Sequence, residues 1–279
     1  MTRGIILYHT GRKLAARLAV CLHTLRKLYS GPVTLLNEGD ESRAITEPMC
    51  DKYDISLKEV SFKDSGQRGA VFINATLCHL HTPYDTTLWL DVDTLTRGDF
   101  WTPMFEAAER SDFAICQISN WTVGGKIAKR LEPWRKIYGD WVDSAKGDGA
   151  AINCGLFAFT ERSKLMRDWY KLASPALKDQ EICKRYPDET CCQLILHRYN
   201  HEIMSHNYNY HCRADRGPIE DVKLVHYCGS KHCRITDEGK YQHHSELWYD
   251  AFDEIRDSIP KKWISWDRQL KQNLEKHDG

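Results

Sequence analysis

The feature that most restricts how this chain can fold is the stretch Thr87-Leu88-Trp89-Leu90-Asp91-Val92-Asp93-Thr94, a short apolar run that stops in two carboxylates one residue apart. Apolar and β-favouring residues bounded in this way read as a buried strand. In an open α/β sheet, ligands bind in the crevice beyond the carboxyl ends of the strands. Two carboxylates delivered there repel each other and lose hydration. A hard divalent cation, Mg²⁺ or Mn²⁺, placed between them and a nucleotide diphosphate relieves both costs. Asp-X-Asp after a strand fits a pair of turn caps equally well, so partners elsewhere in the chain must decide.

The rest of the sequence supplies the alternation such a sheet needs. Residues 4–10 read as a strand. In the segment Arg12–Tyr29, Leu14, Leu18, Cys21, Leu22, Leu25 and Leu28 fall on one helical face, and Ser30-Gly31-Pro32 ends it before a strand beginning Val33-Thr34-Leu35-Leu36. This is the βαβ opening of a parallel sheet. Its first turn lacks G-x-G-x-x-G, which argues against a dinucleotide fingerprint. Tyr8, His9 and Thr10 at the end of the first strand fit a nucleotide base and ribose, or a plain polar exit from the sheet. Further along, Glu59–Phe62 suggests a strand and about 68–80 a helix, whose Arg68 fits a phosphate contact or a solvated side chain. A helix carrying Met104, Phe105 and Ala108, then a strand over 112–118, continue a doubly wound α/β pattern.

Residues 119–148 break this rhythm by interleaving Trp121, Trp134, Tyr138 and Trp141 with Lys126, Lys129, Arg130, Arg135, Lys136 and Lys146. Exposed rings stack on sugars or bases and basic groups attract phosphates, so the segment reads as an acceptor-binding region or as an excursion packed on the sheet. In Ile152-Asn153-Cys154-Gly155-Leu156, a strand interrupted by Asn and Gly marks close approach of a ligand to backbone. Asp188 and Glu189 stand at a helix amino terminus, where the dipole favours their ionised form and Asp188 also fits a plain N-cap. In Leu224-Val225-His226-Tyr227-Cys228-Gly229-Ser230-Lys231, a strand end delivers an imidazole able to bind Mn²⁺, then a glycine, then a lysine able to neutralise a phosphate. His197, His201, His206, His211, Cys212, Cys228, His232, Cys233, His243 and His244 crowd the same third of the chain. No C-x₂-C pair accompanies them, so no zinc site is expected.

Composition narrows the setting. The 279 residues carry 39 basic and 39 acidic side chains, which gives no global electrostatic case for a nucleic-acid or membrane partner. No stretch approaches the roughly 20 apolar residues of a membrane span. Eleven cysteines without a regular framework point to reduced thiols in a cytoplasmic protein. From Ser245, Leu247, Trp248, Ala251, Phe252 and Ile255 share a helical face, and a shorter helix follows Pro260.

Taken in order, LWLDVDT, INCGLFAF, DET before a helix and VHYCGSKH resemble the GT-A fold glycosyltransferases, in particular the retaining family that includes glycogenin and bacterial lipopolysaccharide hexosyltransferases. The resemblance implies a GT-A domain over residues 1–235, mostly parallel and flanked by helices, with a helical extension, 236–279, packed on it. It implies transfer of a hexose from UDP-glucose or UDP-galactose to an acceptor hydroxyl. Asp91, Asp93 and His226 would bind Mn²⁺ or Mg²⁺, with Asp91 also near the ribose. Gly229 and Lys231 would meet the diphosphate, Asn153 and Gly155 would line the donor sugar, and Asp188 would lie beside the reacting carbon with Glu189 next to it. The family's usual segment is His-X-X-Gly-X-X-Lys-Pro; here the lysine comes one residue early and His232 follows it. Glycans, lipid-linked sugars, protein side chains and modified nucleobases all remain as acceptors. A nucleotidyltransferase and a non-catalytic nucleotide-sugar binder are the competing expectations; Thr10-Gly11-Arg12-Lys13 is a meagre phosphate loop for the former.

Overall fold

Among the described residues the alternating apolar and amphipathic segments become ten strands and their intervening helices. The structure, a computed structural model, describes residues 1–62, 70–120, 126–146, 149–183, 186–212, 220–228 and 244–278. Among these residues the strands are β1 (Arg3–Thr10), β2 (Val33–Glu38), β3 (Ser56–Glu59), β4 (Thr86–Leu90), β5 (Thr94–Thr96), β6 (Phe113–Asn120), β7 (Ala150–Thr160), β8 (Glu202–Met204), β9 (Tyr210–His211) and β10 (Leu224–His226). Seven form one sheet in the order β3-β2-β1-β4-β7-β6-β8, and β5-β10-β9 form a second. Pairs β1/β4, β2/β3 and β6/β8 are parallel, while β6 and β7 run antiparallel. The result is the mostly parallel α/β sheet flanked by helices that the alternation implied, with a helical C-terminal region. All eleven residues of β7 are buried, as expected of a strand covered on both faces.

Contacts divide the chain into two compact units. The first comprises Met1–Ile6, Val60–Trp89 and Trp101–His206. Its core is aromatic: Trp89 stacks on Phe157 at 5.9 Å, Phe113 on Phe157 at 5.8 Å, and Trp169 meets Phe157 edge-on at 5.3 Å. Each such pair contributes about 0.5–1.5 kcal/mol beyond the area it buries. Trp169 reaches this cluster from the Lys164–Ala173 helix, which buries Leu165, Met166, Trp169 and Ala173 along one stripe. The excursion rich in tryptophan and lysine packs in the same way. Trp134 is buried and stacked on Tyr138, and half-buried Trp141 lies edge-on to Tyr138 and under the Arg198 guanidinium. Of the two readings of this excursion, the packed one describes Trp134, Tyr138 and Trp141; Trp121 lies outside the described residues.

The second unit comprises Leu7–Glu59, Leu90–Phe100 and Asn207–Gly279. The Ala15–Leu28 helix forms its centre, with Leu18, Cys21, Leu22 and Leu25 fully buried. Arg26 at its last turn donates to the carbonyls of Tyr29, Gly31, Tyr53 and Asp54, satisfying groups that two helix ends leave open. Because Asp54 turns into the left-handed region, the chain leaves its helix abruptly and β3 starts at Ser56, earlier than the apolar pattern at 59–62 suggested. The tail helices Ser245–Asp253, Lys261–Trp266 and Arg268–His277 belong to this unit. Asp267 caps the last of them through Leu270 N and also accepts from Arg17 Nε at 2.7 Å, both side chains being buried. Removing either partner of such a buried pair costs about 3–5 kcal/mol.

Candidate functional site

The second unit brings together three of the residues singled out from the sequence. After β4 ends at Leu90, the chain turns through Asp91-Val92-Asp93, held by the Thr94 hydroxyl donating to the Asp91 carbonyl at 2.8 Å. It then enters β5, against which β10 pairs antiparallel with His226 opposite Thr94. One further bond, Tyr227 N to the Asp93 carbonyl at 2.9 Å, extends the ladder to the turn. This register sets the His226 imidazole on the two carboxylates: Nε2 lies 3.2 Å from Asp93 Oδ1 and 3.6 Å from Asp91 Oδ2. Ligating atoms of the three lie within 4.8 Å of one another.

Exposure grades across the cluster. His226 is 3% exposed, Asp93 16% and Asp91 38%, so the imidazole forms the floor and Asp91 the open lip. Burial, the largest single influence on His226, disfavours its charged form. Cys228 and Asp93 outweigh that influence and hold its pKa well above the ordinary value. His226 Nδ1 lies 3.1 Å from Asn209 Oδ1, an acceptor, so Nδ1 carries a proton, and Nε2, 3.2 Å from Asp93 Oδ1, is the nitrogen that would exchange its proton for a cation. Two carboxylate oxygens and an oriented imidazole nitrogen suit a divalent cation such as Mn²⁺. Asn209, fully buried, is a positioning residue that no spacing in the sequence disclosed.

Other expected donor contacts resolve differently. Tyr8 is 8% exposed with its hydroxyl on Glu38, and Thr10 is exposed with its hydroxyl donating to the Glu38 carbonyl at 3.3 Å. His9 alternates to the opposite face of β1. Its ring is 2% exposed, Nδ1 sits 2.6 Å from the Ser42 hydroxyl, and burial pushes its pKa down to about 4. The buried His9 ring has no exposed stacking face, and Tyr8 beside it is buried too, because β1 is covered on both faces from Gly4 to His9. Arg68, Gly229 and Lys231 lie outside the described residues.

The first unit holds the remaining candidates in a second cluster. Asn153 donates through Nδ2 to Glu189 Oε2 at 2.7 Å and accepts from Gly155 N at 2.9 Å. The other Glu189 oxygen is paired with Arg130, whose guanidinium also covers the Tyr186 ring at 4.7 Å. Arg130, expected to attract phosphate, is instead the counter-ion of Glu189. The Asp188 carbonyl accepts from Trp169 Nε1 at 3.0 Å, which ties the start of the Pro187–Ile195 helix to the aromatic core. Gln193, which the sequence reading passed over, clamps β7 by accepting from Ile152 N and donating to the Ala150 carbonyl. A cavity of about 310 Å³ in this unit, lined by residues such as Tyr84, Asp85 and Glu161, lies at the amino end of β4, not at the end that carries Asp91.

A mostly parallel sheet whose fourth strand ends in Asp-X-Asp, with a histidine returned to it by a cross-strand pair, defines the class: this chain has the fold of the GT-A glycosyltransferases. Galactosyltransferase LgtC, solved with donor and acceptor sugar analogues, is similar over 94% of this chain and 99% of its own, with a TM-score of 0.66 at 16% identity. Mouse xyloside xylosyltransferase 1 covers 82% of this chain and 98% of its own, with a TM-score of 0.58 at 13% identity. Glycosyltransferase GlyE of Streptococcus pneumoniae covers 99% of this chain and 64% of its own, with a TM-score of 0.60 at 15% identity. At these identities the likeness is one of fold. No protein-family model matches the sequence, and no curated protein matches it.

Proposed function

We propose that this protein is a glycosyltransferase that moves a hexose from a nucleoside diphosphate sugar, UDP-glucose or UDP-galactose, to an acceptor hydroxyl with retention of configuration. The observation that carries the reading is the β5/β10 register, which closes Asp91, Asp93 and His226 into one ligand set in a fold whose solved examples include sugar transferases. The proposal assigns residues 1–235 to the transferase domain and 236–279 to its helical extension, and a cytoplasmic setting. Cys21, Cys50, Cys78, Cys116, Cys154, Cys191, Cys192, Cys212 and Cys228 are free thiols. No described helix is long and apolar enough to cross a membrane.

In this reading Asp91, Asp93 and His226 hold Mn²⁺ or Mg²⁺, and Asn209 fixes the imidazole tautomer. When bound, the ion offsets charge that grows on the β-phosphate as the glycosidic bond breaks. Asp91, the most exposed of the three, also reaches the donor ribose, while Tyr8 and Thr10 flank the base and ribose and Lys231 and Gly229 meet the diphosphate. The bond from the anomeric carbon to the diphosphate oxygen breaks, its electron pair stays on the diphosphate, and the acceptor oxygen bonds to that carbon. The acceptor's proton passes to the departing diphosphate. Glu189 has both oxygens engaged, by Arg130 and Asn153, which suits orienting the sugar better than taking a proton. Asp188, beside it on the same first helical turn, is the second orienting carboxylate, with Asn153 and Gly155 along the donor sugar. Nucleotidyl transfer is not favoured, since the turn after β1 remains a meagre phosphate loop.

A UDP-release assay over a panel of UDP-sugars tests the reading, first without acceptor and then with glycan, lipid-linked sugar, peptide and hydroxymethylated nucleobase acceptors. Metal-dependent release with one UDP-hexose, and an α-linked product by NMR, is the expected outcome. Binding of UDP and Mn²⁺ with no release for any acceptor would reduce the protein to a nucleotide-sugar binder.

A further inference from the structure

His226 belongs to a second group of ligating side chains. β9 pairs parallel with β10 so that His211 stands directly opposite His226, and their rings meet at 4.9 Å. Cys228 follows His226 by two residues, and in an extended chain that spacing returns a side chain to the same face. Its sulfur lies 3.3 Å from His211 Nδ1 and 3.6 Å from Nε2. One ligating atom from each of His211, His226 and Cys228 falls within 4.8 Å of the other two. The two histidines are buried, and Cys228 is half-buried, whereas eight other free cysteines are buried.

Two imidazoles and a thiolate differ in chemistry from two carboxylates and an imidazole. The former set matches a borderline-soft, tetrahedral ion; the latter favours a harder one. We propose that His211, His226 and Cys228 form a second metal site, selective for a thiophilic divalent cation such as Zn²⁺, and that it shares His226 with the Asp91–Asp93 site. The shared side chain has consequences. Nδ1 of His226 is engaged by Asn209, which leaves Nε2, once its proton is displaced, to serve one cation at a time. A thiophilic ion held by His211 and Cys228 therefore draws His226 away from the aspartates, and occupancy of the two sites is mutually antagonistic. The sequence reading excluded zinc because no C-x₂-C pair occurs. The register of two short strands, not a local spacing, builds this set.

The antagonism rests on the metal reading above; the soft site itself stands on geometry alone, and the experiment separates them. Co²⁺ is added to the metal-free full-length protein and followed by absorption spectroscopy, because only a thiolate ligand produces sulfur-to-cobalt charge transfer in the near ultraviolet. The wild type and the double variant Asp91→Asn/Asp93→Asn are expected to show this band at one equivalent of Co²⁺, and Zn²⁺ to abolish it. Cys228→Ser is expected to lose the band, and both Cys228→Ser and His211→Gln to bind Zn²⁺ at least about tenfold more weakly. Circular dichroism melts confirm that each variant is folded. Absence of the band in the wild type, or its survival in Cys228→Ser, overturns the proposal. Mn²⁺ binding followed by electron paramagnetic resonance reports separately on the aspartate site: if it persists while the cobalt band is missing, the soft site alone is refuted.

Discussion

The Asp91–Asp93–His226 cluster and the Arg130–Glu189–Asn153 cluster contain similar groups, yet they differ in how charge is balanced. In the first unit, Glu189 is neutralised by Arg130 and its second oxygen is taken by Asn153. In the second unit, two carboxylates share a single imidazole, whose Nε2 lies 3.2 Å from Asp93 and 3.6 Å from Asp91. A charge-balanced cluster braces backbone; an unbalanced, partly open one binds. In the proposed reading this contrast gives carboxylates equally prominent in the sequence different roles: ion holders at 91 and 93, orienting group at 189.

Breaking the unbalanced cluster has the largest expected effect. Asp93→Asn removes half the negative charge facing His226 with almost no change of shape. Metal-dependent UDP release is expected to fall by about 10²- to 10³-fold, with the thermal midpoint held or raised. A variant that retained full turnover would remove the ion from the mechanism.

Asn209→Ala sharpens the comparison from the layer beneath. It releases His226 Nδ1 without touching a ligand, so Mn²⁺ affinity is expected to weaken by about 10- to 100-fold in a titration monitored by electron paramagnetic resonance. Unchanged affinity would mean that the imidazole is oriented by its strand alone. Glu189→Gln probes the balanced cluster and has the smallest expected effect. The Arg130 pair becomes a neutral hydrogen bond, stability falls by about 1–2 kcal/mol in denaturant unfolding, and Mn²⁺ affinity stays at the wild-type value. A loss of Mn²⁺ binding in this variant would show that the two clusters do not have separate functions.

Much of the scaffold is legible locally. The 14-residue apolar-faced helix after β1, the all-buried β4 and the amphipathic helix containing Trp169 follow from 3.6- and 2-residue patterns that each segment carries in itself. The excursion over 119–148 was less legible, because interleaved tryptophan and basic residues suit an exposed binding face and a packed one alike. Trp134 and Arg130 are settled inward by Tyr138 and Glu189, partners that no periodicity in the sequence reveals. The burial of both Tyr8 and His9 was not legible, because the sequence shows that a strand ends while the covering of its two faces depends on distant elements.

By itself the sequence determined the alternation of strand and helix and the delivery of Asp91 and Asp93 at a strand's carboxyl end. Backbone sterics and the burial of apolar faces act over neighbouring residues, so these features need no distant partner. Tertiary structure alone decided that His226 closes on Asp93, that Asn209 orients it and that His211 and Cys228 gather beside it. Each depends on pairing between strands far apart in the chain. A register shift of one residue would turn these side chains to the opposite face, and no local pattern encodes that choice.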